Sequence, residues 1–144
     1  MALTHVSAAT VLWLLLVFET KHLFADFFLQ GEYMLGKFKR QGWQLPLAAH
    51  CAVHAAFTLA ICLLVRPELF WLAGVDFTVH FVMDRIKASP DLLGRYKNLS
   101  AREYPAADVA EKRSNKLFWW SLGFDQYIHQ LTSLAIVALL VFWR

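Results

Sequence analysis

LPLAAHCAVHAAFTLAICLLV, residues 45–65, contains no charged side chain, and its clearly polar positions are His50, His54 and Thr58. As a helix rising about 1.5 Å per residue, it is long enough to cross a hydrocarbon core of roughly 30 Å. The three polar residues are four apart, which separates neighbours by about 40° around the helix and puts all of them on one face. Such a stripe is costly against lipid and is satisfied against other helices. The segment therefore predicts a membrane span with its polar edge turned inward.

Three other segments fit the same description, at about residues 6–30, 69–86 and 117–143. Together the four predict a single all-α domain over residues 1–144, a polytopic bundle of four transmembrane helices. Composition agrees: 58% of the 144 residues are hydrophobic and 17% are charged, with a mean hydropathy of +0.44. A water-soluble domain this small has too little interior to hide that much apolar surface. Residues 1–10 hold no Lys or Arg, so the first span lacks the basic leader of a signal peptide and is expected to be retained. Cys51 and Cys62 share one apolar span and read as small buried hydrophobes rather than a disulfide. Trp43, Trp71, Trp119, Trp120 and Trp143 fall near span ends, where interfacial aromatics belong.

Basic residues set the orientation. Lys37, Lys39 and Arg40 lie between spans one and two. Arg85, Lys87, Arg95, Lys97, Arg102, Lys112, Arg113 and Lys116 lie at or between spans three and four. The other side has only Arg66 and Arg144. Cytoplasmic loops are enriched in Lys and Arg, so both termini are expected outside the cytoplasm. The connection over residues 88–116 reads as a solvated cytoplasmic loop, with a short interfacial helix around 106–116. Lys21 is left inside span one, to snorkel, to pair with Glu19 or to neutralise a buried site.

Every span repeats the polar stripe: Glu19, His22, Asp26 and Gln30 in the first, then His50, His54 and Thr58. Span three has Asp76, His80 and Asp84, and span four Asp125, His129, Thr132 and Ser133. Because spans one and three run inward and two and four outward, Asp26, His50, Asp84 and Asp125 should share one layer. His22, His54, His80 and His129 should form the next, about 6 Å deeper for four residues of helical rise. Inward-facing His and carboxylate from facing helices are a common way to build a metal site. The candidate ligands are His22, Asp26, His50, His54, Asp76, His80, Asp84, Asp125 and His129. They suit one or two divalent transition ions of Zn, Mn, Fe or Ni, with no means in the sequence to choose among them. Asp125 or Glu19 is the candidate general base. A purely structural role in interhelical hydrogen bonding uses the same residue types.

The run from Lys21 to Gln30 (KHLFADFFLQ), the His50-x-x-x-His54 pair, Asp76-x-x-x-His80-x-x-x-Asp84-x-x-Lys87 and Asp125-Gln126-x-x-His129-Gln130-x-Thr132 resemble the domain of unknown function 3307 family. These are small, uncharacterised bacterial membrane proteins. The resemblance covers all four spans. It implies a bacterial inner-membrane location and supplies no activity. The His/Asp pattern also looks like that of small membrane metal-dependent hydrolases, an analogy that does not transfer function.

The leading expectation is a metal-dependent hydrolase acting on a lipid or phosphoester at the cytoplasmic leaflet. Its partners would be membrane lipids, with an anionic lipid or isoprenoid phosphate as substrate and Arg85 and Lys87 holding the phosphate. No nucleic-acid partner is expected, and a homo-oligomer is compatible with the pattern. The alternatives are a metal-ion or proton transporter or channel subunit, and a non-catalytic regulatory subunit. Bis-His haem ligation is disfavoured by the surrounding carboxylates. Apolar outer segments at 11–18 and 134–143 favour a one-sided site over a through-path.

Overall fold

The computed structural model describes residues 7–89, 92, 108–109 and 116–143. The expected interfacial helix around 106–116 falls almost wholly outside them, as does His5. Among the described residues the chain is all-helical in class, its helices joined by short turns, without strands. Its long helices are α1 (Ala8–Leu23), α2 (Gln44–Val65), α3 (Leu72–Ala88) and α4 (Lys116–Phe142). α2 packs along α3, α3 along α4, and α1 against both α4 and α2. Three segments are long and apolar enough to cross a membrane: Ala8–Phe28, Gln44–Val65 and Trp119–Phe142. α3, at 17 residues, is shorter and carries Asp76, His80, Asp84, Arg85 and Lys87.

Local chemistry explains the boundaries. Ser7 caps α1, its hydroxyl accepting from the Thr10 amide at 3.1 Å, which satisfies one of the free N–H groups of the first turn. α1 does not end at Leu23 but widens into a π-helical turn over Phe24–Phe28. Such turns are rare and concentrate at functional sites. Gly42, at φ 68°, supplies the left-handed residue that turns the chain into α2. Arg66 caps the end of α2, and Pro67 after it opens a short 3₁₀ turn, Pro67–Leu69, leading toward α3. This hairpin is pinned to the end of α4: Arg66 Nη1 donates to the Trp143 carbonyl at 3.3 Å, and the Trp71 and Trp143 rings meet edge to face. Arg66 also pairs with Glu68.

The interior is divided along its length. Toward the α2–α3 hairpin it is apolar, a cluster of Leu14, Phe18, Cys62, Leu69, Leu72, Ile136, Val137 and Leu140. Both cysteines are free and buried. Toward the opposite end, where Lys37, Arg85 and Lys87 lie, it is polar: His50, His54, Thr58, Asp76, His80, Asp84, Asp125 and His129 are all at most 3% exposed. The outside reverses this. Leu12, Trp13, Leu16, Leu64, Phe70, Leu134 and Phe142 are all exposed, a surface suited to lipid and a liability in water.

Candidate metal centre

Helical spacing does the first part of the assembly. Each stripe residue is one turn from the next on its own helix, and the four helices bring the stripes together. Four imidazoles form one layer: His54 and His80 have ring centroids 3.9 Å apart, His80 and His129 4.1 Å, His129 and His22 5.4 Å, and His22 and His54 5.3 Å. His50 follows His54 by one turn toward the basic end, with centroids 4.9 Å apart.

Carboxylates frame these rings. Asp26 Oδ1 lies 3.0 Å from His54 Nε2 and 3.3 Å from His50 Nε2, and Asp26 Oδ2 lies 3.1 Å from His22 Nε2. His50 Nε2 also lies 2.9 Å from Asp84 Oδ2. His129 Nε2 stands 3.4 Å from Asp125 Oδ1 and 3.8 Å from Asp84 Oδ1. Several of these short approaches lack hydrogen-bond alignment, so His22 Nε2, His50 Nε2 and Asp125 Oδ1 are buried without a hydrogen-bond partner. Nearly all buried polar atoms in folded proteins are satisfied. Atoms this close yet not aimed at one another are grouped as ligands of a shared ion would be. Three sets have ligand atoms mutually within 4.8 Å: Asp26–His50–His54, His22–His54–His80, and Asp84–Asp125–His129. His54 belongs to two of them.

Asp76 stands apart from these sets. Its Oδ2 accepts from Lys21 Nζ at 2.6 Å and from the Thr58 hydroxyl at 2.7 Å, an ion pair buried at both ends. That settles the partner of Lys21. Asp76 also governs His80. The His80 Nδ1 donates to the Asp76 backbone carbonyl at 2.9 Å, and a carbonyl only accepts, so the proton of the neutral ring is on Nδ1. The lone-pair nitrogen, His80 Nε2, then points into the histidine layer with no hydrogen-bond partner. Fixing one ring nitrogen to present the other is how proteins orient metal-binding imidazoles.

Lysines complete the electrostatics. Lys37 Nζ lies 3.2 Å from Asp84 Oδ2, and Lys87 Nζ 2.6 Å from Asp125 Oδ2. With Lys21 on Asp76, three of the four carboxylates each have an ammonium partner. Asp26 is the fourth, and its ion-pair neighbours among the described residues are all imidazoles. Asp26 is thus the one carboxylate of the four that lacks an ammonium partner among the described residues.

The family model described as "Protein of unknown function (DUF3307)" matches residues 11–144. The chain belongs to this family. No curated protein and no solved structure matches it. Membership covers every helix that contributes to the site, and brings no activity with it.

The structure gathers eight of the candidate ligands, His22, Asp26, His50, His54, His80, Asp84, Asp125 and His129, into the three sets, two of which share His54. It places Asp76 behind His80, and Glu19 on the exposed surface of α1. Arg85 is engaged elsewhere: its guanidinium stacks 3.8 Å over the Trp43 ring and donates to the Lys37 and Lys39 carbonyls at 3.4 Å each. It clamps the 3₁₀ segment Met34–Phe38 that feeds Lys37 into the site. Lys37 was missed as a site residue because loop lysines ordinarily report only topology. A signal was available in Gly36-Lys37, where a small residue permits close approach. A Cβ at Gly36 would come within 2.8 Å of the Pro46 ring.

Proposed function

We propose that the chain forms a four-span bundle in a bacterial inner membrane, with its basic end in the cytoplasm and both termini outside. In that bundle the polar cluster binds one or two divalent transition ions and hydrolyses a lipid-borne ester or phosphoester at the cytoplasmic leaflet. The observation that carries this reading is Asp26, a carboxylate with three imidazole nitrogens within 3.3 Å and no lysine of its own. A cation there restores charge balance and gives the unaligned nitrogens a common partner. Asp26, His50 and His54 supply the first position; Asp84, Asp125 and His129 supply a second.

Three protein ligands leave coordination sites for water and substrate, and a divalent ion lowers the pKa of bound water toward about 7. In the proposed hydrolysis, the oxygen of a water held at this site would bond to the phosphorus or acyl carbon. The ester oxygen leaves and takes up a proton. With an ion in the first position alone, Asp125, whose Oδ1 is buried and free of hydrogen bonds, is the candidate base for the water's proton; with a second ion bound, that oxygen is its ligand instead. Glu19, facing outward on α1, has no such position. The apolar plug of Phe18, Leu72 and Ile136 on the other side supports a one-sided site over an ion pathway.

Elemental analysis of gently purified protein tests the reading. Wild-type protein and His5→Ala should carry Zn, Mn, Fe or Ni at about one ion per chain or more, whereas Asp26→Asn and His54→Ala should lose most of it. Wild-type protein that holds no metal after repletion with each of these ions would refute the proposal.

A further inference from the structure

Beside the cluster, on the basic side, is a cavity of about 310 Å³ lined by Asp26, Phe27, Gln30, Lys37, Phe38, Lys87, Leu122 and Gln126. Its wall and floor differ in kind. Asp26 is the edge of the proposed metal position. Lys37 and Lys87 come from opposite sides, one from the 3₁₀ segment after the π turn and the other from the end of α3. Gln30 and Gln126 add amide donors. Phe27, which is 70% exposed, belongs to the apolar segment Ala8–Phe28 and sits where that segment meets the polar end of the molecule.

We propose that this cavity is a subsite for the phosphate group of an amphiphile, held by Lys37, Lys87, Gln30 and Gln126 with its chain leaving past Phe27. The inference rests on the hydrolase reading for its consequence and on the cavity for its geometry. An ammonium has three N–H donors, and Lys37 and Lys87 are each tied to one carboxylate, Asp84 and Asp125 respectively. Those ties hold the two nitrogens at the cavity wall and leave donors for a ligand. Donors converging from two lysines and two amides match a tetrahedral group with three or more acceptor oxygens better than a planar carboxylate with two. The Asp26 edge then brings the bound phosphate against the proposed metal. A phosphate at the depth of a lipid head group fits a cavity at a span end, and the proposed orientation makes that leaflet the cytoplasmic one.

The test uses full-length protein purified with its metal, a fluorescent short-chain phosphatidate, and the matching diacylglycerol. Phosphatidate should bind and diacylglycerol should not. Lys87→Gln and Lys37→Gln should each weaken phosphatidate binding by about 10-fold or more, the loss expected for a charge-assisted hydrogen bond. Lys39→Gln removes an equal charge from the same end but outside the cavity and should change little. Lys87→Arg and Lys37→Arg should restore most of the binding, which separates lost recognition from lost folding. Competition with inorganic phosphate assigns the source: displacement means that the phosphate alone is recognised, and its absence means that the lipid-borne group is required. Equal binding of diacylglycerol and phosphatidate, or unchanged binding in both Gln variants, would overturn the subsite. Metal content measured on the same samples keeps the two readings apart. Lysine-dependent binding by metal-free protein sinks the metal centre alone, and metal-loaded protein that ignores phosphatidate sinks the subsite alone.

Discussion

Asp76→Asn should be among the most destabilising single changes in the molecule while sparing the proposed metal positions. Lys21 is 4% exposed and Asp76 is fully buried, with Nζ and Oδ2 2.6 Å apart. Removing one partner of such a pair leaves an uncompensated buried charge, at a cost of about 3–5 kcal/mol. The neutral amide can still accept from Thr58, so the Thr58 hydroxyl bond survives and the lower half of that range applies. Lys21→Met/Asp76→Leu removes both charges and fills the space with apolar atoms. It should recover most of the loss, falling short by the roughly 1–3 kcal/mol of a Thr58 hydroxyl left without its acceptor. The assay is reversible unfolding in mixed micelles by added denaturing detergent, with helicity as the signal. Metal content should remain near wild type in Asp76→Asn, because the Asp76 backbone carbonyl still fixes the His80 ring. A loss of stability below about 1 kcal/mol would show that the ion pair does not hold this layer together. Loss of metal with stability intact would show that Asp76 is a ligand.

The Lys/Arg asymmetry makes a second prediction: an alkaline phosphatase fused to the C-terminus should be active and a green fluorescent protein fused there dark, the opposite pattern reversing the orientation and moving the site to the outer leaflet. Gly36→Ala should destabilise the protein by about 1–3 kcal/mol through overpacking, because its Cβ meets the rigid Pro46 ring at 2.8 Å. A neutral result in the same unfolding assay would mean that the 3₁₀ segment shifts freely and does not fix Lys37.

Periodicity was enough to place most of the cluster. His50-x-x-x-His54 and Asp76-x-x-x-His80-x-x-x-Asp84 are legible because a residue four on lies on the same helical face whatever the surroundings. The division of labour within those stripes was not legible. Asp76 and Asp84 have the same spacing from His80, yet Asp76 faces Lys21 while Asp84 lies against His50 and Lys37. That difference depends on which helix lies opposite, a tertiary fact. The apolar length of three spans was equally plain, whereas the end of the first was not. Phe24–Phe28 reads as ordinary helix, and its π turn becomes visible only where Asp26 must meet three imidazoles from two helices. Arg85 read as a phosphate ligand from its charge alone. Its clamp on Trp43 and two loop carbonyls requires knowing that residues 37–43 fold back over α3.

Charge balance gives the cluster its direction. Four carboxylates and three ammonium groups in a buried cluster are costly, since each costs several kcal/mol to desolvate and apolar residues would fill the same space for less, which supports the proposed metal centre over polar packing alone. If polar packing were the purpose, a lysine beside Asp26 would complete the pairing that Lys21, Lys37 and Lys87 give the other three. Instead Asp26 faces His22, His50 and His54, groups that bind a proton weakly and a transition ion strongly. It is also the carboxylate that borders the cavity. The incomplete pairing and the cavity coincide at one residue, and the proposed centre, which would bind a cation and meet a substrate, needs both at the same place.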